Sequence, residues 1–268
     1  MNYFVLTMQH NEDFMLPIFL DHYSRFLEPK HIKIIDHGST AKMDPFLKNY
    51  DKIYIPRDRP FSEGARLRII QHTVAGLLEY YDFGIFVDCD ELIDLTNINE
   101  IDFTHHQIHY VAGFDVFFRD TPDGIRLRGL FSPGMSKPSI FSHMPYWTAG
   151  FHDCNAPINM LTFPMIHTRF LYGDQSKDRL NVRVNTYSNF ETREKTNGVN
   201  VHWFEGSNNL NSFYEYIDEK NCSDVKVFDR IDPIIYRDSP EPAYRFSGVE
   251  YDFTDRFPHI VNNYVSNR

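Results

Sequence analysis

The stretch GIFVDCDELIDL (84–95) sets four acids behind an apolar run, and three of them, Asp88, Asp90 and Glu91, fall within four residues. Carboxylates this close repel one another, so a positive group is expected among them. Carboxylate oxygens are hard ligands, and one or two of them with substrate phosphates commonly hold Mg2+ or Mn2+. Such a cation would relieve the repulsion and create a site for a diphosphate. A lone D-x-D triplet more often caps a helix or solvates a loop. Here the acids follow a strongly apolar strand, so the backbone can hold them still.

The elements that must position these acids show a clear rhythm over the first 95 residues. YFVLTM (3–8) reads as a buried strand. Pro17–Leu27 carries Ile18, Phe19, His22, Tyr23, Phe26 and Leu27 at helical spacing, with Pro17 in the first turn, where its missing N–H costs nothing. Apolar runs at 32–35 and 52–55 follow, the first ending in the turn sequence DHGST. Gly64–Tyr80 places Ile69, Ile70, Thr73, Val74, Leu77 and Leu78 on one helical face, and 83–87 is a fourth strand. Strands alternating with helices predict an α/β class, a mostly parallel sheet flanked by helices. Ligands of such sheets bind beyond the carboxyl ends of the strands. The acids at 88–91 and the loops at 9–13 and 36–40 all fall on that edge.

The rest of the chain is less regular. Residues 109–118 and 163–166 read as strands, 119–139 as turns and loops on account of their prolines and glycines, and 174–184 and 209–219 as helices. No repeat or linker appears, so a single domain over 1–268 is expected: a nucleotide-binding half (1–95), an acceptor-side half (96–225) and an unassigned extension (226–268). With 42% hydrophobic and 16% aromatic residues the chain can build a real core. A formal net charge of −10 disfavours a nucleic-acid partner. The three cysteines, Cys89, Cys154 and Cys222, make no paired motif, which suits a reducing compartment. No apolar run approaches the roughly 18 residues of a membrane span, and the N-terminus lacks a signal-peptide pattern. A cytoplasmic protein is expected, touching the inner membrane face only through an acceptor or partner.

An ordered set of short motifs then carries a resemblance. NED (11–13) precedes the proline-led helix with His22–Tyr23; IIDHGST (34–40), Gln71 in the long helix and FVDCDELI (86–93) follow, and His167 comes later. This order resembles the glycosyltransferase family 2-like enzymes of the GT-A fold, in the branch whose pattern runs NE, HY, D-x-GS, Q, D-x-DE and a late His. The match covers the first 95 residues well and the next 90 loosely. Cys89 between the aspartates is a harmless departure, because its side chain points the other way on an extended chain. The resemblance implies a nucleotide-sugar donor, Mn2+ or Mg2+ as cofactor, and a glycan or lipid-linked saccharide acceptor. Thr7, Asn11 and Glu12 would border the nucleotide, and Asp36 would face its base or ribose. A carboxylate can accept from a uracil N–H, so a uridine donor is the default. Arg66 or Arg68 would approach the diphosphate, Asp90 would bind the metal, and Asp88 would contact ribose, metal or metal-bound water. Glu91 would support the loop. His167 would complete the metal shell, with His202 its rival and Lys177 a following basic residue.

The acceptor side is sought in WTAGFHDC (147–154). Trp147 could stack on a sugar ring, His152 could contact the acceptor, and Asp153 is the first choice of general base, with Asp115 in GFDVFF the second. The expected reaction is sugar transfer with inversion at the anomeric carbon. A non-catalytic nucleotide-sugar or glycan-binding domain is the alternative from a different class.

Overall fold

The computed structural model describes residues 1–58, 62–159, 161–173, 175–179, 181, 213–215, 217, 225–230 and 249–266. The first half is laid down as read. Strands β1 (Tyr3–Gln9), β2 (Ile32–Asp36), β3 (Asp51–Tyr54) and β4 (Phe83–Phe86) pair in parallel in the order β3-β2-β1-β4. This is one doubly wound half, and it puts the ends of β1, β2 and β4 side by side. The α/β class expected from the sequence is the class observed.

The strand pattern explains the layering. Alternate residues face opposite sides. Tyr3, Val5, Ile32, Ile34, Phe83 and Ile85 form one core with Met15, Leu16, Phe19 and Tyr23 of helix α1 (Met15–Tyr23). Phe4, Leu6, Ile35 and Phe86 form another with Ile70 and Val74 of helix α3 (Glu63–Leu78). A short helix α2 (Asp44–Leu47) lies between β2 and β3 in the chain. Ser62 starts α3 by accepting the Ala65 amide at 3.3 Å. Ile70 and Val74 are fully buried, each worth about 1.5–3 kcal/mol of apolar transfer.

The sheet then continues antiparallel. Strand β5 (Glu91–Ile93) pairs with β9 (Pro164–His167), while β6 (Ile108–Thr121), β7 (Gly124–Phe131) and β8 (Lys137–Phe141) extend the sheet from β4. Residues 119–139, expected as loops, thus hold most of a hairpin and the start of a strand. The misleading residues have specific places: Pro122 lies in the two-residue turn between Thr121 and Gly124, and Pro138 pairs with Tyr110 where the β6–β8 register shifts. A bulge is where a strand tolerates a residue with no N–H to donate. The tail joins the same sheet: β10 (Val225–Val227) pairs with β11 (Glu250–Asp252), and β11 with β7. Helix α4 (Pro258–Ser266) buries His259, Ile260 and Val261.

Two residues of the expected HY motif tie these parts together. Tyr23 Oη accepts the Ile93 amide at 3.0 Å and donates to the Glu91 carbonyl at 3.2 Å, so α1 fixes the backbone of β5. His22 Nε2 lies 2.8 Å from the Ile93 carbonyl, and its Nδ1 lies 3.1 Å from His259 Nε2. A carbonyl only accepts, so His22 carries its proton on Nε2, and His259 donates to its Nδ1. Both rings are neutral in this arrangement. Burial lowers the pKa of His22 to about 3 and that of His259 to about 4.

The sign of the pH effect follows. Below about pH 6.5 the unfolded chain takes up protons at these positions while the folded chain resists until pH 4 or lower, so stability falls as pH falls. The slope is up to about 1.4 kcal/mol per pH unit for each histidine. Urea unfolding at pH 7, 6, 5 and 4 is expected to show His259→Phe with a shallower decline than the native protein. Equal slopes would contradict the paired, neutral arrangement.

Candidate active site

The acid cluster lies just past β4, at the carboxyl rim of the sheet. Asp88 follows the strand, and Glu91 opens β5 after a turn in which the Glu91 amide bonds to the Asp88 carbonyl at 3.0 Å. Glu91 Oε2 in turn accepts the Asp88 amide at 2.9 Å, so Glu91 holds the loop. Cys89 points inward, 3.4 Å from Thr7 Oγ1. Thr168 donates its amide and its hydroxyl to the Asp90 carbonyl at 2.8 and 3.1 Å, which anchors the loop to the end of β9.

The positive charge that the sequence demands is supplied within the chain. Asp88 accepts from Arg66 Nη2, and its other oxygen lies 3.3 Å from Lys137 Nζ. Lys137 also meets Glu91 at 2.5 Å. Asp90 Oδ2 accepts from Arg179 Nη1 at 2.5 Å, and the same guanidinium binds both oxygens of Glu12 at 2.7 and 3.1 Å. His167 Nε2 stands 3.4 Å from Asp90 Oδ2, and its Nδ1 is 3.1 Å from Asp115 Oδ1. Asp115 Oδ2 accepts from Arg169 at 2.9 Å.

Six carboxylates (Glu12, Glu63, Asp88, Asp90, Glu91, Asp115) therefore meet four permanent cations (Arg66, Lys137, Arg169, Arg179), and a proton on His167 would add a fifth positive charge. Burial and Arg169 oppose that proton, yet Asp90 and Asp115 outweigh them and raise the His167 pKa. Burial opposes the Lys137 ammonium as well, but Glu91 and Asp88 hold its pKa above the ordinary lysine value. Asp115 is driven the other way: burial favours its neutral form, but Arg169 and His167 keep its carboxyl below the usual range.

The nucleotide side is a second cluster on the same rim. Gln9, the last residue of β1, donates through Nε2 to Asp36 Oδ1 and to Ser39 Oγ, both at 2.9 Å. The Ser39 amide reaches the same Asp36 oxygen at 3.1 Å. Among the described residues no donor is bonded to Asp36 Oδ2. Asn11 takes a left-handed conformation (φ 52°), which its short polar side chain tolerates, and accepts the Thr40 amide at 2.9 Å. Gly38 (φ 68°) lets this loop lie against the chain beyond β3, since a Cβ there would come 2.6 Å from Arg57 Cβ.

Several expectations are corrected. Thr7 is fully buried against Cys89, so its side chain does not border a nucleotide; Gln9, two residues on, reaches the rim. Arg66 is the arginine at the acids, lying over the Phe151 ring at 4.7 Å, whereas Arg68 is exposed and forms no ion pair among the described residues. Trp147 is 4% exposed among Phe86, Phe141 and Phe151 and donates to the Pro138 carbonyl at 3.1 Å, so it is core and presents no stacking face. Asp115 is 0% exposed with both oxygens engaged; it orients His167 and cannot meet an acceptor hydroxyl as a base. Asp153 is exposed and steadied by Tyr110 Oη at 2.9 Å, with His152 half-buried beside it. Lys177 is exposed, and Arg179, on the same helical residues 175–179, carries the basic contact instead. His202 lies outside the described residues.

The arrangement can be tested for a divalent cation. Among the described residues no group of three or more His, Cys, Asp or Glu is placed to hold a metal. Asp90 and His167 remain as a pair, and atoms sharing a cation at about 2.0–2.2 Å stand about 3 Å apart, close to the 3.4 Å found. Two protein ligands, with phosphates and water for the rest, suit Mg2+ or Mn2+. Both Asp88 oxygens already accept from cations, and Arg179 is a competitor for the Asp90 oxygen.

No family model matches this sequence, and no curated protein does. Solved structures share parts of the fold. S. aureus TarS (residues 1–349) is 12% identical, with a TM-score of 0.38 over 81% of this chain and 74% of that one. The same protein in complex with UDP is 15% identical, with a TM-score of 0.32 over 46% and 38%. Mannose-1-phosphate geranyltransferase from Thermus thermophilus is 16% identical, with a TM-score of 0.32 over 48% and 49%. The chain spans about half or less of the first structures it matches. At these scores such likenesses carry no weight for function.

Lys137 is the sharpest stability test of the cluster. Removing one partner of a buried ion pair strands the other, at a cost of about 3–5 kcal/mol. Lys137→Met is expected to lower the unfolding free energy by that amount in urea melts, and adding Glu91→Gln is expected to recover part of it. A loss below about 1 kcal/mol would contradict the role given to this lysine.

Proposed function

We propose that the protein is a glycosyltransferase that moves a sugar from a nucleoside-diphosphate donor, a UDP-sugar by preference, to a hydroxyl of a glycan or lipid-linked acceptor. The observation that carries this reading is the placement, on one rim, of Asp36 with an available oxygen and the cation-paired Asp88–Asp90 cluster. They end strands two positions apart in the sheet, so roughly 10 Å separates them, a span a nucleoside diphosphate bridges.

Each residue then has a physical task. Asp36 accepts an N–H of the base or a ribose hydroxyl. Arg66 and Arg179, already at the acids, turn toward the diphosphate and stabilise the charge that builds on it as the glycosidic bond breaks. A divalent cation, when held by Asp90 and His167, supplies further positive charge to the same leaving group. Asp115 fixes the His167 ring so that Nε2 faces Asp90. Asp153, outside the core, is the base that takes the acceptor proton on the opposite face of the sugar, as inversion requires.

Thermal-shift titration with UDP, GDP and ADP, with and without Mn2+, is expected to raise the melting temperature for one nucleotide in a metal-dependent way. Asp90→Ala should remove the metal dependence and the turnover, and Asp153→Asn should cut turnover by about a hundredfold or more. Full activity in Asp90→Ala would overturn the metal assignment. Tight binding without release of nucleoside diphosphate, to acceptor or to water, would favour a binding domain instead.

A further inference from the structure

We infer that Tyr54, the last residue of β3, is the platform on which the donor's nucleobase stacks. The inference rests on the nucleotide-sugar reading above and names the group that would select for a base within it.

The register supplies the geometry. Gln9 pairs with Asp36 across β1 and β2, and Asp36 pairs with Tyr54 across β2 and β3. Paired residues of parallel strands share a face, so Gln9, Asp36 and Tyr54 form one row at the carboxyl rim. The Gln9–Asp36 hydrogen bond at 2.9 Å bears out the shared face for the first two. Gln9 and the Ser39 amide both take Asp36 Oδ1, so Oδ2 keeps its accepting capacity among the described residues.

Tyr54 differs from the other aromatics of the β1–β4 sheet. Tyr3, Phe4, Phe83 and Phe86 are buried, whereas Tyr54 is 58% exposed on the edge strand. Among the described residues its ring has no aromatic, cationic or hydrogen-bonding partner. A planar base standing edge-on upon Asp36, donating an N–H to Oδ2, would turn one face toward the Tyr54 column. Adjacent strands lie about 4.8 Å apart, within the roughly 4.5–7 Å centroid range of offset-stacked rings. Gly38 lets the β2 loop lie against the chain beyond β3, with Arg57 packed against it. The chemistry recognised is a flat ring with an edge N–H, as in uracil, thymine or guanine. Stacking supplies affinity and Asp36 supplies the choice.

Isothermal titration of UDP and of inorganic pyrophosphate separates the possibilities. Tyr54→Ala is expected to weaken UDP binding about tenfold or more, the scale of a base–aromatic stack, and to leave pyrophosphate binding within about twofold. Tyr54→Phe, which keeps the ring, is expected to bind UDP within about threefold of the native protein. Native-like UDP affinity in Tyr54→Ala would overturn the inference and leave the donor reading standing. Equal losses in the Phe and Ala variants would overturn it too, by showing that the hydroxyl, and not the ring face, makes the contact. If the native protein binds pyrophosphate but no nucleoside diphosphate more tightly, the donor reading itself falls.

Discussion

Negative charge held at the rim of a parallel sheet cannot stand alone, and the way it is neutralised organises this molecule. Asp88, Asp90 and Glu91 emerge from the end of an apolar strand, where burial makes an unpaired carboxylate costly. Three distant parts of the chain answer them: Arg66 from α3, Lys137 from β8 and Arg179 from helical residues 175–179. Each ion pair also ties a separate element to the end of β4. Electrostatics and topology are thus one problem with one solution.

The ion pairs of the cluster also share atoms. Asp90 shares one oxygen between Arg179 and the edge of His167, and Arg179 shares its charge with Glu12. A ligand bringing both phosphate and a divalent cation would offer each partner a substitute: anionic oxygens for the arginines and a cation for the acids. The His167 ring is oriented by Asp115, itself fully buried and held by Arg169.

Much of this was legible in the sequence because local pattern and tertiary placement agree over the first 95 residues. The apolar run YFVLTM, the helical face of 69–78 and the turn in DHGST each report one element. The acids were legible because four of them behind an apolar run break the expected pattern. Their partners were not. Lys137 lies in GMSKPSIF, where nothing distinguishes a 3%-exposed lysine from a surface one. Arg179 sits two residues beyond the basic residue chosen, and only the turn of the helix decides between them. Trp147 misled for the opposite reason: a tryptophan beside glycine and histidine looks like a sugar platform, while its burial depends on Phe86 and Phe141, which come from other strands. His22 and Tyr23 look chemical in type and spacing, yet their work is to fix β5 and dock α4.

A crystal structure of the protein soaked with UDP and Mn2+ tests the central claim most directly. The account predicts a diphosphate between Arg66 and Asp90, an anomalous manganese peak touching Asp90 and His167, Arg179 drawn off Asp90, and the base edge on Asp36. A rim without nucleotide, with Arg179 still closed on Asp90 and manganese absent or elsewhere, would contradict it.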